Sequence, residues 1–462
     1  MRQLMAGAAR VKLEPPIGLA MLGYGNRVGR STGVHDELAA QALVLSDGAK
    51  TVAIVGVDVL ALGNRIADDI RTTVAAESDI AADAILIGAT HTHSGPAFNI
   101  FATPRADAKV ADDRSLEWER ALPGKIAGAV LNARRQLEPA SLRAATARFT
   151  LGTNRRLIRP NGQIQLAANY SGVADTDAMV FGVYREDNSA LSFVMNYPCH
   201  GVVLCEDNLL YSRDWMGFAM DEIETAAAAT DGRRPISIFL QGATGNIDPR
   251  SRGSFEVAAE NGRAMGRAAF DALTRAQSST DPRITFRRVP LRLKLKNRQD
   301  EIATARLCVE QTHASLDNHR GGEGYQMKRL RDHHDQSLAA LRGLEAAEEQ
   351  ERHDRRVDIA RREMRTSITV LAAGDAAFIG IPGELFVEFG LELKANQNFA
   401  HTFVAGYCND LIGYIPTSEA YAQGGYEVES ARVAPGSGET IVAAALAALA
   451  DIRTTLAEST DD

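Results

Sequence analysis

From about residue 50 to 300 the chain alternates two hydrophobic patterns. Short runs rich in β-branched residues read as strands: TVAIVGVDVL (51–60), AILIGAT (84–90), AMVFGVYR (178–185), ALSFVMNY (190–197) and ISIFLQGA (236–243). Several are apolar at every position, which suits strands covered on both faces. Between them, NRIADDIRTTVAA, SLEWERALPGKIAGAVLNARRQL and DWMGFAMDEIETAAAA read as amphipathic helices. RITFRRVPLRLKLK (283–296) alternates apolar and basic positions and predicts a half-exposed strand. The expected fold class is α/β, a mixed β-sheet core layered with helices.

Between about 298 and 365 the pattern changes to charge-rich helical sequence, NRQDEIATARLCVEQ and MKRLRDHHDQSLAALRGLEAAEEQERHDRRVDIARREM, broken by the Gly-rich NHRGGEGY. This predicts a helical hairpin inserted into the domain. The α/β pattern resumes with TSITVLAAGDAAFIGIPGELFVEFGLEL and HTFVAGYCND, and IVAAALAALADIRTTL predicts a terminal helix. With no internal repeat and no linker, residues 1–462 read as one domain carrying the insertion 298–365.

Composition narrows the function classes. The 462 residues are 45% hydrophobic and 24% charged, an ordinary globular balance. A net charge of −8 leaves no basic excess to release counterions, so nucleic acid is not an expected partner. Four cysteines without a CxxC pair predict reduced thiols. The N-terminal MRQLMAGAARVKLEPPIG has no apolar leader, and no run reaches the roughly 18 apolar residues of a membrane span. The expectation is a cytoplasmic protein without a transmembrane segment; the oligomeric state is left open.

Four strings carry candidate chemistry. ATHTHSGPAF (89–98) follows a strand, and in an extended segment His91 and His93 would project from one face about 7 Å apart. They can be two metal ligands, or one ligand and one acid, base or oxyanion donor; two hydrogen-bonded loop histidines are the alternative. In NYPCHGVVLCEDN (196–208), His200 follows an apolar strand and a proline, where a structural role is the default. IFLQGATGNIDPR (238–250) runs from a strand into a polar turn in which Asp248 precedes Pro249, a common turn device. GIPGELFVEFG (380–390) puts Glu384 at an expected first turn of a helix, where carboxylates are favoured anyway. His313, His319, His333, His334 and His353 fall on the charged insert and read as solvated. Walker A, GxGxxG and GxSxG motifs are absent, so phosphate-loop, dinucleotide and serine-elbow chemistry lack their signatures.

In this order, GAARVKLEPPIGLAMLGYG, VAIVGVDVLAL, THTHSGP, NYPCHGV, SRDWMGF, FLQGATGNIDP, IPGELF and GYCNDLIGYIPTSEAY resemble the neutral/alkaline non-lysosomal ceramidase family over residues 6 to about 430. The resemblance implies a hydrolase that cleaves the amide of an N-acyl, lipid-like substrate using one Zn2+. Its metal ligands map onto His91, His200, Glu384 and a tyrosine, Tyr414 in LIGYIPT or, as second choice, Tyr421 in SEAY. Two imidazoles and a carboxylate would leave a position for an activated water. His93 would face the substrate, and Arg155 of TNRR would bind a carboxylate or a developing oxyanion.

The family's catalytic serine corresponds to Asp248, so a serine-dependent step does not carry over, and Asp248 is expected to act as general base. The family's C-terminal immunoglobulin-like domain and secretion signal have no counterpart in the sequence, and the acyl group is undetermined. Metal-dependent ester or phosphoester hydrolysis fits the same ligands, and a non-catalytic zinc-binding homologue is the third reading.

Overall fold

The computed structural model describes residues 3–98, 113–229, 232–279, 281–319 and 324–458. Its largest sheet has eight strands. From edge to edge they are Ile236–Gln241, Ala190–Tyr197, Asp177–Arg185, Glu138–Arg148, Met5–Lys12, Ala39–Ser46, Thr51–Val57 and Ile85–Ala89. The sheet is mixed: Ala190–Tyr197 pairs Ile236–Gln241 in parallel, as Thr51–Val57 pairs Ile85–Ala89, while the other neighbours are antiparallel.

Its two halves are joined narrowly, through Met5↔Pro139 and Ala6↔Glu138 alone. The sheet folds back at this junction, bringing Ile238 against Gly56 and Leu240 against Gly88; a Cβ at either glycine would lie 2.8 Å from those side chains. The strands predicted from apolar runs are buried along almost their whole length, as coverage on both faces requires.

A second sheet orders Ile284–Lys294, Glu363–Ala373, Ala376–Gly380 and His401–Ala405. It packs on the first through an aromatic cluster, Phe181 lying edge-on to Phe378 at 5.3 Å and Phe378 stacking on Phe403 at 4.5 Å. Helices Asn64–Glu77 and Asp113–Arg135 cover one half of the large sheet, and Asp214–Ala226 with Phe255–Thr274 cover the other. Val387–Lys394 and Ser437–Glu458 cover the second sheet. By length and composition Ser437–Glu458 could cross a membrane, yet its Ile441, Ala445, Leu449, Ile452 and Leu456 are buried in this core.

Residues 298–353 form two helices, Arg298–Asp317 and Tyr325–His353, with few buried side chains. Residues 320–323 of the Gly-rich break lie outside the described residues. The helical reading up to 365 is corrected: the second helix stops at His353, and Val357–Asp358 folds back on Glu363–Ala373 as strand. The reason is tertiary. Asp354 turns inward to pair with Arg356 at 2.7 Å and Arg432 at 2.9 Å, and Arg356 also reaches Asp410.

Candidate active site

The site forms where four separate segments end. Beyond the strand Ile85–Ala89 the chain passes through His91 with φ of 60°. A side-chain-bearing residue holds this left-handed conformation only when its surroundings support it. Here the His91 N–H donates to the Val59 carbonyl at 3.1 Å, and ring Nδ1 bonds the Leu60 carbonyl at 2.7 Å. His91 and His93 therefore do not converge as an extended pair, but through this turn, which brings their Nε2 atoms 3.2 Å apart.

A parallel bridge between Thr92 and Gly201 then joins this segment to the one carrying His200. Nδ1 of His200 bonds the Ile247 carbonyl at 3.0 Å. A carbonyl oxygen only accepts, so in both His91 and His200 the proton sits on Nδ1 and the Nε2 lone pair faces the shared space. Burial, followed by the neighbouring His200, pushes the pKa of His91 down to about 3, which keeps this ring neutral.

Two local expectations change. Glu384 does not open a helix: Glu384–Leu385 is a short strand paired in parallel with Tyr414–Ile415, and the helix starts at Val387. In that register Glu384 and Tyr414 are direct partners. Oε2 of Glu384 lies 3.6 Å from Nε2 of His200 and 3.9 Å from Nε2 of His91. Burial alone would raise its pKa; the neighbouring His200 and His91 rings and the Arg155 guanidinium outweigh that and leave it lowered. Asp248, likewise, is not in a turn but in the short strand Ile247–Pro249, paired with Gly152–Asn154. Tyr421 points elsewhere, its hydroxyl donating to the Val433 carbonyl.

Arg155 organises the floor. Nη1 donates to Asp248 Oδ1 at 3.0 Å, Nη2 to the Tyr414 hydroxyl at 3.0 Å and to the Gly245 carbonyl at 2.9 Å, and Nε to Glu427 at 2.8 Å. Nη1 also lies 3.4 Å from Nε2 of His200. Burial would raise Asp248, but Arg155, His200 and Arg252 hold its carboxyl below the usual range.

The motif reading missed three supports. Tyr407 stacks on His91 at 3.9 Å, and its hydroxyl lies 2.6 Å from Thr244 Oγ1 and donates to Glu384 Oε2 at 3.3 Å. Glu427, buried between Arg155 and Arg156, holds both at 2.8 Å. Tyr24 sets an edge against His93, whose ring also lies on Gly23, at φ of 116°. The early string GLAMLGYG carries Gly23 and Tyr24, so a glycine-flanked aromatic was the available signal there. Tyr407 follows Gly406 in the string GYCND and carried the same signal; Glu427 had none.

These residues fit a bound metal ion. Three imidazoles present ring nitrogens within 4.8 Å of one another. Two of them aim fixed lone pairs inward beside a carboxylate, and backbone carbonyls fix their tautomers, the arrangement usual for metal-binding histidines. Nδ1 of His93 is buried and has no hydrogen-bond partner among the described residues. The donor set, nitrogen and oxygen, matches that of a catalytic zinc site.

Histidines from beyond two strands of the folded-back sheet thus meet a carboxylate and a paired guanidinium from separate short strands in one donor cluster with metal-binding spacing. The sequence pattern of the neutral/alkaline non-lysosomal ceramidase N-terminal region matches residues 13–269, more than half of the chain, and the chain belongs to that family. It is 21% identical to the neutral ceramidase of Pseudomonas aeruginosa over 90% of this chain and 67% of that one. Identity to the neutral ceramidase of Mycobacterium tuberculosis is 24%, over 88% of this chain and 70% of that one. The crystal structure of the Pseudomonas aeruginosa enzyme superposes with a TM-score of 0.70 at 16% identity, over 98% of this chain and 75% of that chain. A ceramidase complexed with C2 gives 0.71 at 16% identity, over 98% and 76%. At that identity the structural likeness is one of fold.

Proposed function

We propose that this chain hydrolyses the amide bond of an N-acyl, lipid-like substrate, with His91, His200, Glu384 and Tyr414 holding one Zn2+. The observation that carries the reading is the convergence of two inward Nε2 lone pairs on the Glu384 carboxylate, beside the Arg155–Asp248 pair. When bound, the ion supplies Lewis acidity, polarising the amide carbonyl and lowering the pKa of a water toward about 7. Asp248, ionised and beside His200, takes the proton of the attacking water. Arg155, fixed by Glu427, keeps its Nη atoms facing the same space and steadies the negative charge that grows on the carbonyl oxygen. His93 relays that proton from Asp248 to the departing amine, so the water's proton ends on the leaving group. Tyr407 holds the Glu384 carboxylate in place.

Matched amide, ester and phosphoester substrates test the reading. Release of free amine from a short-chain N-acyl amide, abolished by a chelator and restored by Zn2+, is the expected result. Faster cleavage of the ester or phosphoester would replace amide hydrolysis with that activity. Stoichiometric zinc with no turnover of any of the three would make the chain a non-catalytic homologue.

A further inference from the structure

Among the described residues, eleven large hydrophobic side chains stand exposed. Five of them, Ile158, Leu166, Tyr170, Val173 and Tyr426, gather on one feature beside the site. Ile158 and Leu166 lie on the hairpin of Gly152–Ile158 with Ile164–Asn169. The register pairs Arg156 with Leu166 and Ile158 with Ile164, so these apolar side chains share one face. Gly425 rests on Ile164, and Tyr426 follows it. The Tyr426 ring is 5.6 Å from that of Tyr414 and 5.9 Å from the Arg155 guanidinium, so the patch runs continuously to the site. At its other end Arg250 lies over Tyr170 at 5.9 Å.

The charge along the hairpin is the reverse of the chain's. Residues 139–174 contain five arginines and no carboxylate, in a protein of net charge −8. Arg155 and Arg156 are neutralised internally by Asp248 and Glu427. Arg159, on the hairpin, and Arg250, over Tyr170, are left exposed beside the apolar residues.

We propose that this hairpin face docks on a lipid bilayer surface bearing anionic headgroups, placing the site mouth against the membrane that holds its substrate. The proposal rests on the N-acyl lipid reading of the site. Exposed aromatic and aliphatic side chains enter the headgroup boundary while neighbouring arginines pair with phosphates, and the two contributions add. A second copy of the chain is a poorer occupant, because a two-fold contact through this face would set like-charged arginines together.

The test is flotation of the full chain with phosphatidylcholine vesicles, with and without phosphatidylglycerol. Wild-type protein should float with the anionic vesicles. Ile158→Asp/Leu166→Asp should lower the vesicle-bound to free ratio roughly tenfold or more. Arg159→Glu, an exposed change that spares the apolar residues, should lower it less and only on anionic vesicles. Both variants should keep wild-type turnover of a monomeric short-chain N-acyl amide. Failure of the wild type to float, equal binding by the double variant, or a wild-type dimer that the double variant dissociates would each overturn the proposal. Variant-sensitive flotation by a wild type that hydrolyses no N-acyl amide would leave docking standing and refute the hydrolase reading instead.

Discussion

Replacing Asp248 with asparagine removes one negative charge and almost no volume. Asparagine can still accept from Arg155 Nη1 through Oδ1, the contact now at 3.0 Å. Arg155 keeps its 2.8 Å pair with Glu427, so the cation is not left buried alone. The stability loss should therefore be that of weakening one charge-assisted hydrogen bond, about 1–2 kcal/mol, rather than the 3–5 kcal/mol or so of orphaning a buried ion. If Asp248 is the proton acceptor, kcat should fall about 10²–10⁴-fold, equivalent to roughly 3–5 kcal/mol of barrier, with zinc content unchanged.

The pH dependence has a defined sign. Asp248 is held below its ordinary value of 3.8, so the folded chain binds fewer protons there than the unfolded one. Its contribution to stability is present above that pH and is lost as pH falls through the folded value; the asparagine variant should lose less stability on acidification. Stopped turnover assays, metal analysis and urea denaturation at neutral and acid pH measure the three quantities. Near-wild-type kcat with a raised KM would refute the general-base role and leave Asp248 as the residue that positions Arg155.

His91→Ala and His200→Ala should each lose most of the bound zinc by elemental analysis, while full retention in either would remove that histidine from the ligand set. Gly23→Ala would place a Cβ 2.5 Å from Nδ1 of His93 at a backbone φ of 116°; it should cut kcat at least tenfold through displacement of that ring, and unchanged turnover would show that His93 is not in the proton path. Asp354→Ala should cost about 3–5 kcal/mol in denaturant unfolding at neutral pH, because Arg356 and Arg432 lose a buried partner. Burial would raise Asp354, but those two arginines outweigh it and hold it well below 3.8, so the gap between wild type and variant should close as pH falls below about 4.

Local pattern was enough for five of the eight strands of the large sheet; Met5–Lys12, Ala39–Ser46 and Glu138–Arg148 were not read from it. A fully buried strand and an amphipathic helix each write their burial into adjacent residues, and ALSFVMNY could be read as the strand Ala190–Tyr197 without its neighbours. The same locality made His91, His200, Glu384 and Asp248 visible as candidates, since each stands just beyond an apolar run. What those residues do with one another is set by partners far along the chain. The Glu384 segment carries a helix-start signature, and its pairing with Tyr414–Ile415 overrides it. Residues 354–365 look helical by composition, but ion pairs from Asp354 to Arg432 and from Arg356 to Asp410 draw them into the second sheet. Arg155 reaches Glu427 across 272 positions, a relation with no periodic trace. The left-handed turn at His91 and the stacking of Tyr407 on its ring depend on the loops after two different strands meeting. Periodicity records which face of an element is buried. It does not record which side chains share that burial, and the folding of the large sheet back on itself decides that here.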